Sequence, residues 1–371
     1  MIYLDNAATS TPLKESVEFA QKYIENYYNP SALYSGGIEV SSFLKEVRAY
    51  IVSTVCHDGY DCIFTSCGTE ADNTAVFSSA KRGNAVTTLG EHSAVFEPFK
   101  ELERRGVEAR FAKLNKDGSV NTDDLLSKID GNTSFVSVVH VNNETGAVND
   151  INAIAEKVKK INPKTVFHSD GVQAYGKMPY RLSSAVDMYS ISAHKIGALK
   201  GVGALLKKKN ISLHPLIFGG GQEGGLRSGT ENVFGIATFY KAAQVRYSQI
   251  AADRDRYIDL KDLFVSTLND EYVKLISSEN CAPHIVSITA PKLRGEVLQH
   301  ILEKRGIIVG TGSACASLNK HSRVLKECGY SAQELDGVLR ISFSAFTRPE
   351  DVVEAANGIN DACRELKKVI V

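Results

Sequence analysis

The first regular pattern along the chain is a helical one between Val40 and Val55. Apolar side chains recur there at steps of three and four residues, at Val40, Phe43, Leu44, Val47, Ile51 and Val55. This spacing places them on one face of a helix, so it predicts a helix with one buried side.

Beyond this helix, short β-prone runs alternate with helical runs. The predicted strands are DCIF, NAVTTL, VEARFA, FVSVVHV, TVFHSD, VDMYSIS and GVGALLKK, and the predicted helices start at Glu70 and include VFEPFKELERR, TDDLLSKI and INAIAEKVKK. Alternation of this kind predicts an α/β fold with a mainly parallel sheet and helices on both faces.

The C-terminal part has a different pattern. The segment FGGGQEGGLRSGTEN is too long and too rich in glycine for a simple turn, which indicates a functional loop. A long helix is predicted from about Phe234 to Leu268, and HIVSITA, GEVLQHILEKRG, IIVG, VLRISFS and EDVVEAANGINDACRELKKV then predict a smaller α+β domain.

Composition excludes several classes of function. Lys+Arg and Asp+Glu both number 43, so no global charge favours nucleic acid or an anionic membrane as a partner. The start, MIYLDNAATS, lacks the pattern of a signal peptide, and no apolar run approaches the roughly 20 residues that span a bilayer. We therefore expect a soluble cytoplasmic protein.

The 7 cysteines are scattered without CxxC pairs. That arrangement is untypical of a disulfide framework or a structural zinc site, so we expect reduced thiols and no bound metal.

A phosphate site is one interpretation of TSCGTEADN, which lies between a predicted strand and a predicted helix. Gly68 and Thr69 fall at the start of that helix, where free backbone N–H groups and the helix dipole favour an anion. An ordinary helix cap explains the same residues equally well.

Two further strand ends carry polar residues. Asp170 ends the strand TVFHSD and Gln173 follows it, at the edge of an α/β sheet where ligands bind, although a carboxylate there more often caps a helix. Ser192 ends the strand VDMYSIS, and His194 and Lys195 follow it. Lys195 is either a surface charge or the amine of a Schiff base. A phosphate cradle, an acid for a ring nitrogen and a Schiff-base lysine together are what pyridoxal phosphate requires.

With these features the chain resembles the cysteine desulfurases of the NifS/IscS type, which belong to the class-V aminotransferase group of fold-type I pyridoxal phosphate enzymes. The resemblance extends over almost the whole chain, through YLDNAAT, YNPSALYSGG, FTSCGTEADN, EHSAV, HVNNETGAVNDI, HSDGVQAYGK, SAHKIGALKGVGAL, GGGQEGGLRSGTEN, GSACAS and LRISFS. It implies a large domain with a seven-stranded sheet over residues 15–240 and a small α+β domain from residues 1–14 and 241–371.

The resemblance also implies a role for individual residues. Lys195 would hold the cofactor and shuttle a proton at the substrate Cα, His92 would lie over the cofactor ring and take part in acid–base steps, and Asp170 would pair with the ring nitrogen. The remaining cofactor contacts would come from Gln173 and Asn143 near the ring oxygen, from Gly68, Thr69, Ser192 and His194 at the phosphate, and from Thr230 of a neighbouring subunit in a homodimer.

Cys315 lies in VGTGSACASLNKHS, a segment with little apolar bulk. Alone, a single cysteine is most often a small buried side chain. The resemblance implies instead that its thiolate attacks the sulfur of free L-cysteine, keeps that sulfur as a persulfide, releases alanine and passes the sulfur to an acceptor or iron–sulfur scaffold protein.

The chain departs from the family pattern at three places that bear on the substrate. Ala345 stands where relatives carry an arginine for the substrate carboxylate, and Arg348, three residues further on, is a candidate substitute. Tyr34 and Gly36 replace a histidine and a phenylalanine, so that flank of the pocket should differ as well. Cys67, where many relatives have glycine, is interpreted as packing.

Three alternatives to a cysteine desulfurase remain open. One is another class-V activity, such as a selenocysteine lyase or a cysteine sulfinate desulfinase. Another is an aminotransferase for a different amino acid, although GSACAS favours the desulfurase because transamination needs no loop thiol. The last is a weakly active scaffold that binds pyridoxal phosphate, which Ala345 makes conceivable.

Overall fold

The computed structural model describes residues 1–311 and 321–370. Its strands are β1 (Ile2–Leu4), β2 (Tyr60–Thr65), β3 (Asn84–Thr88), β4 (Glu108–Ala112), β5 (Thr133–Ser137), β6 (Val166–Asp170), β7 (Met188–Ser192), β8 (Gly203–Lys208), β9 (Lys274–Leu275), β10 (Ile285–Thr289), β11 (Ile307–Val309) and β12 (Val338–Ser342). Its helices are α1 (Lys14–Ala20), α2 (Lys22–Glu25), α3 (Ser35–Val55), α4 (Gly68–Ser79), α5 (Ser93–Arg104), α6 (Thr122–Ser127), α7 (Ile151–Ile161), α8 (Val233–Thr267), α9 (Gly295–Lys304), α10 (Arg323–Glu327), α11 (Ala332–Asp336) and α12 (Pro349–Ile370).

A seven-stranded sheet dominates the structure, in the order β2-β8-β7-β6-β5-β3-β4. Every pair is parallel except those that β8 makes with β2 and β7, so the predicted mainly parallel sheet is confirmed. Strand β7 is buried along its whole length, as expected for a strand covered by helices on both faces.

Helix α3 confirms the first pattern in the sequence. Its buried positions include Val40, Leu44, Val47, Ile51 and Val55, at the predicted steps of three and four residues. This face belongs to a large apolar core that also contains residues of β2, β7 and the first turns of α8.

A second, smaller core lies around the C-terminal elements. Strands β12, β10 and β9 form an antiparallel sheet, and β1 pairs in parallel with β11. Single bridges from Asp5 to Ser342 and from Gly310 to Arg340 join that pair to β12. The N-terminal strand is therefore built into the small sheet, next to the edge that carries Arg340.

Helix α8 connects the two cores. Its early residues, such as Phe239, pack in the large core, and later ones, such as Tyr257 and Phe264, pack in the small one. Our boundaries of residues 15–240 for the large domain, with residues 1–14 and 241–371 for the small one, stay a prediction.

The short elements β1, α1, α2, β9, α10 and α11 were not predicted. They span between two and seven residues, too few to show a periodic pattern. Across residues 1–311 and 321–370, no helix combines the length and the apolar character needed to cross a membrane.

Replacing Phe264 with alanine tests the small core. Its ring is fully buried and packs with a centroid distance of 6.3 Å against Phe343. We expect a loss of about 3–5 kcal/mol in the free energy of unfolding, measured by urea denaturation, because the change leaves a cavity. The control is Phe346→Ala, at a ring that is 57% exposed, where a loss below about 0.5 kcal/mol is expected. Equal losses in the two variants would contradict the packing described.

Candidate active site

A cavity of about 320 Å³ opens at the carboxyl ends of the parallel strands. Ligands of open α/β sheets bind at this edge. The predicted residues that line the cavity are Gly68, Thr69, His92, Asn143, Asp170, Gln173, Ser192, His194 and Lys195. Thr230 is exposed and does not line it, and Cys315 lies outside the described residues.

The start of helix α4 forms one end of the cavity. Cys67 occupies the N-cap position, and no side chain caps the helix there, so the first N–H groups are open to a ligand. The hydroxyl of Ser192 faces the same place and has no hydrogen-bond partner in the described chain, although its residue is only 2% exposed. A buried hydroxyl beside free amide donors is suited to an anion such as phosphate.

Close packing explains why glycine stands at the first position of α4. A Cβ at Gly68 would lie 2.9 Å from Val172 Cγ2 and 3.4 Å from Ser192 Cβ. The N-cap residue of α4 makes no side-chain capping bond, while Glu70 accepts a hydrogen bond from the Ser66 amide ahead of the helix and pairs with Arg227 of the glycine-rich loop at 2.8 Å.

Asp170 ends strand β6 at the centre of the cavity and is 5% exposed. Its Oδ1 accepts a hydrogen bond from the Val172 amide at 2.9 Å. Burial raises the pKa of this carboxyl, while the nearby His92 and Lys195 lower it in part. A cation placed beside Asp170 would offset the cost of burying its negative charge.

A buried polar network lies next to Asp170 within the sheet. His168, two residues earlier on β6, contacts Ser137 Oγ and Ser190 Oγ, each at 2.9 Å, and burial lowers its pKa to about 3. Burial followed by the charge of Asp170 raises the pKa of Asp72 well above its usual range. His168 is therefore uncharged near neutral pH and supplies no positive charge to Asp170.

His92 caps helix α5. Its Nδ1 accepts a hydrogen bond from the Ala94 amide at 3.1 Å, so the neutral ring carries its proton on Nε2. Burial lowers the pKa of His92, and the charge of Asp170 opposes that shift. The ring is thus a neutral N–H donor near neutral pH.

Lys195 ends a short 3-10 turn that follows β7. Its Nζ donates to the carbonyl oxygens of Ala7 and Ala8 at 2.6 and 2.8 Å. The amide Nε2 of Gln173 also donates to the Ala7 oxygen, at 2.9 Å. The N-terminal segment after β1 therefore fixes two of the predicted side chains at once, which the sequence did not indicate.

His194 lines the cavity and also contacts the N-terminal segment. Its Nδ1 lies 3.1 Å from Thr9 Oγ1, so the ring also ties the N-terminal segment to the turn after β7. Burial, and then the charge of Lys195, lowers the pKa of His194 to about 4.

Arg348, the candidate for the missing arginine, lies outside the cavity. Arg348 is exposed, pairs with Asp351 at 2.7 Å and does not line the cavity. Arg340 of β12 does line it and is 6% exposed. Its Nη1 donates to Asn143 O at 2.9 Å and its Nη2 to Asp5 Oδ1 at 2.8 Å, while Nε has no partner within the described residues.

A second arginine that the sequence analysis missed, Arg323, borders the cavity from helix α10. It donates to the carbonyl oxygens of Leu89 and Glu91 and lies 3.5 Å from the centroid of the Phe96 ring. These contacts hold the segment that leads into His92. Neither arginine could be placed from sequence, because each comes from the C-terminal part and reaches a distant loop.

Of the other residues that depart from the family pattern, one lines the cavity and two do not. Cys67, interpreted as packing, lines the cavity and is only half-buried. Tyr34 and Gly36 do not line it, and Tyr34 is 55% exposed. Among the residues that the structure describes, no cluster of three or more potential metal ligands is present.

Comparison with known proteins agrees with this fold and cavity. The family described as aminotransferase class-V matches residues 2–354. The chain belongs to the class-V aminotransferase family.

Within this family, the chain is 35% identical over 363 residues to a cysteine desulfurase of Trichormus azollae, covering 94% of this chain and 89% of that protein. It is 34% identical to the putative cysteine desulfurase IscS 1 of Bacillus subtilis, covering 98% and 99% of the two chains. The solved structure of a NifS-like protein superimposes with a TM-score of 0.92 at 30% identity, covering 98% of this chain and 99% of that one.

Another solved structure, titled SspA in complex with cysteine, superimposes with a TM-score of 0.81. It is 26% identical and covers 94% of this chain and 100% of that one. The likeness to both solved structures identifies the fold of this chain as fold type I.

Removing the His168 ring tests the buried network. The folded chain holds this ring neutral down to a pKa of about 3, whereas an unfolded histidine takes up a proton below about pH 6.5. His168 therefore contributes stability above that pH, and the contribution is lost as the pH falls. Urea unfolding of His168→Asn should show a slope against pH that is shallower by about 1.4 kcal/mol per unit between about pH 6 and about pH 4.

The matched control is His300→Asn, which removes an exposed histidine. The His168 variant should also be about 1–3 kcal/mol less stable at neutral pH, because Ser137 and Ser190 lose a partner. Identical slopes in the two variants would contradict a neutral buried ring.

Proposed function

We propose that this protein is a cysteine desulfurase that uses pyridoxal phosphate. The observation that carries the proposal is the cavity itself, which brings an uncapped helix start, a buried carboxylate and the amine of Lys195 together at one sheet edge. The similarity to cysteine desulfurases along most of the chain supports the same reaction.

The residues present fit this cofactor. The start of α4 and the unpartnered Ser192 hydroxyl suit the phosphate, with Thr69 and His194 at the rim. Asp170, buried and with a raised pKa, suits a protonated ring nitrogen, because that cation offsets the cost of its charge. Lys195 supplies the amine that holds the aldehyde carbon, and the bound cofactor supplies an electron sink for the substrate Cα.

Arg340 supports L-cysteine as the substrate although Ala345 replaces the family arginine. Its guanidinium borders the cavity beside Asn143, and its buried Nε lacks a partner in the described chain. A guanidinium is the usual partner of an α-carboxylate in proteins. Arg340 together with Asn143 therefore binds the carboxylate of L-cysteine.

Proton movements fall to two side chains. Lys195 Nζ takes the proton from the substrate Cα and later returns one to the carbon skeleton. His92 carries its ring proton on Nε2 and stays neutral near neutral pH, so it donates a hydrogen bond to the reacting groups without adding charge.

We assign the sulfur transfer to Cys315, because the segment GSACAS around it resembles that of the cysteine desulfurases. Its thiolate attacks the substrate sulfur, an S–S bond forms, and the Cβ–S bond of the substrate breaks with its electron pair left on carbon. The carbon skeleton takes up a proton and leaves as alanine, and the persulfide on Cys315 passes to an acceptor or iron–sulfur scaffold protein.

A homodimer is part of the same proposal. Thr230 is exposed and lies away from the cavity of its own chain, as expected of a residue that serves the site of a second copy. Large exposed apolar side chains at Tyr27, Leu33, Ile38 and Phe218, which are 54–92% exposed, supply apolar surface for that contact.

The function is tested with the purified protein, added pyridoxal phosphate and L-cysteine. We expect alanine and sulfur in equal amounts, with a mass increase of one sulfur atom on Cys315. The Cys315→Ser variant should release little sulfide while keeping the absorbance of the bound cofactor. Alanine production that does not depend on Cys315 would favour a lyase, and bound cofactor without turnover of cysteine would contradict the proposal.

The role of Arg340 is tested by Arg340→Lys. We expect the KM for L-cysteine to rise on the order of tenfold or more, because the bidentate partner of the carboxylate is lost. Turnover of cysteamine, which has no carboxylate, should be the same in the variant as in the wild type. The control is Arg348→Ala, at the exposed arginine, which should leave the KM for cysteine unchanged. A parallel loss with both substrates in Arg340→Lys would indicate a purely structural role.

A further inference from the structure

Lys177 is a buried lysine close behind the cavity, in the turn that follows β6. Its side chain is 5% exposed and does not line the cavity. Burial, followed by the charges of Lys195 and two arginines, lowers its pKa well below the usual range. Keeping an amine at so unfavourable a position calls for a specific contact.

That contact is with Gln173. Lys177 Nζ lies 2.9 Å from Gln173 Oε1, and Gln173 Nε2 donates to Ala7 O at 2.9 Å. A carbonyl oxygen accepts only, so the Ala7 oxygen requires Nε2 on its side, and the Lys177 amine donates to Oε1. The two contacts together hold the amide with Oε1 toward Lys177 and Nε2 toward Ala7.

This orientation decides which group the amide offers to a ligand. Gln173 lines the cavity, and its oxygen is occupied by Lys177 on the buried side. One of the two N–H bonds of Nε2 is used at Ala7, and the other remains for the cavity. The amide consequently presents a donor, which suits an anionic oxygen.

The proposed function supplies such an oxygen, because the ring of pyridoxal phosphate carries a phenolic oxygen that is readily ionised. We propose that Lys177 is a positioning residue that fixes the amide of Gln173 with its N–H toward the ring oxygen of the bound cofactor. The inference rests on the proposed cofactor and goes beyond it by assigning a role to a residue outside the cavity.

Removing the amine should release the amide. In Lys177→Met, which has a side chain of similar length and no donor, Gln173 Oε1 is left buried without a partner. The amide then keeps only its contact with Ala7, so its second N–H is held less firmly toward the cavity and the anionic oxygen loses a well-placed donor.

The test is a double-mutant cycle on cofactor affinity, measured by titrating the apoprotein with pyridoxal phosphate and following intrinsic fluorescence. We expect Lys177→Met to raise the Kd about tenfold and to shift the pH at which the visible absorbance of the bound cofactor changes. In a Gln173→Ala background the same substitution should have almost no effect, because the group it positions is gone.

Lys207→Met is the matched control. Lys207 is 4% exposed in β8 and contacts Asp61 at 3.4 Å, so this variant also removes a buried lysine, away from the cavity. It should lower stability without changing the cofactor Kd. If Lys177→Met does not fold, Lys177→Gln, which keeps a shorter donor, is used in the cycle and should weaken binding less, and only when Gln173 is present.

Equal losses from Lys177→Met with and without Gln173 would overturn the proposal, as would an unchanged Kd and absorbance. A wild-type protein that binds no pyridoxal phosphate would overturn both this inference and the proposed function. A protein that binds the cofactor but does not desulfurate cysteine would overturn the function alone, and the cycle would still decide the role of Lys177.

Discussion

The carbonyl oxygen of Ala7 is the contact on which the arrangement of the cavity depends. It accepts hydrogen bonds from Lys195 and Gln173, which belong to different strand ends of the large sheet. The segment that carries it is held from the other side, since the Ala7 amide donates to Ser342 Oγ at 2.8 Å. A carbonyl with two lone pairs and two donors is fully used, so the positions of both side chains are tied to the N-terminal segment.

This constraint explains why the small sheet matters for the site. Strand β1 pairs with β11, and Asp5 holds Arg340 at 2.8 Å. The same few residues therefore set the position of the proposed carboxylate partner and of the proposed cofactor lysine. A change in the packing of the small core would be transmitted to both.

The charges of the cavity are balanced around Asp170. His168 and His92 are held neutral by burial, burial raises the pKa of Asp72, and the charge of Lys195 lowers the pKa of Asp170 in part. Burial of a carboxylate without full compensation is unfavourable. A cationic ligand completes this arrangement, which is why a protonated ring nitrogen fits it well.

Local patterns predicted much of this structure. The periodicity of α3 and the alternation of strands and helices gave the sheet, and the polar strand ends at Asp170 and Lys195 gave the position of the cavity. Arg340 and Arg323 were missed because their contacts join residues about 200 positions apart or more, which no spacing rule reports. Ala345 and Arg348 are neighbours in sequence, whereas Arg340, which lines the cavity, lies on the strand before them.

The central claim is that the cavity holds pyridoxal phosphate through Lys195. The most direct measurement is reduction of the cofactor-loaded protein with borohydride, followed by protease digestion and mass spectrometry of the peptides. The account predicts a phosphopyridoxyl group on the peptide that contains Lys195 and on no other lysine. A label on Lys177 or on a surface lysine, or no label at all, would contradict it.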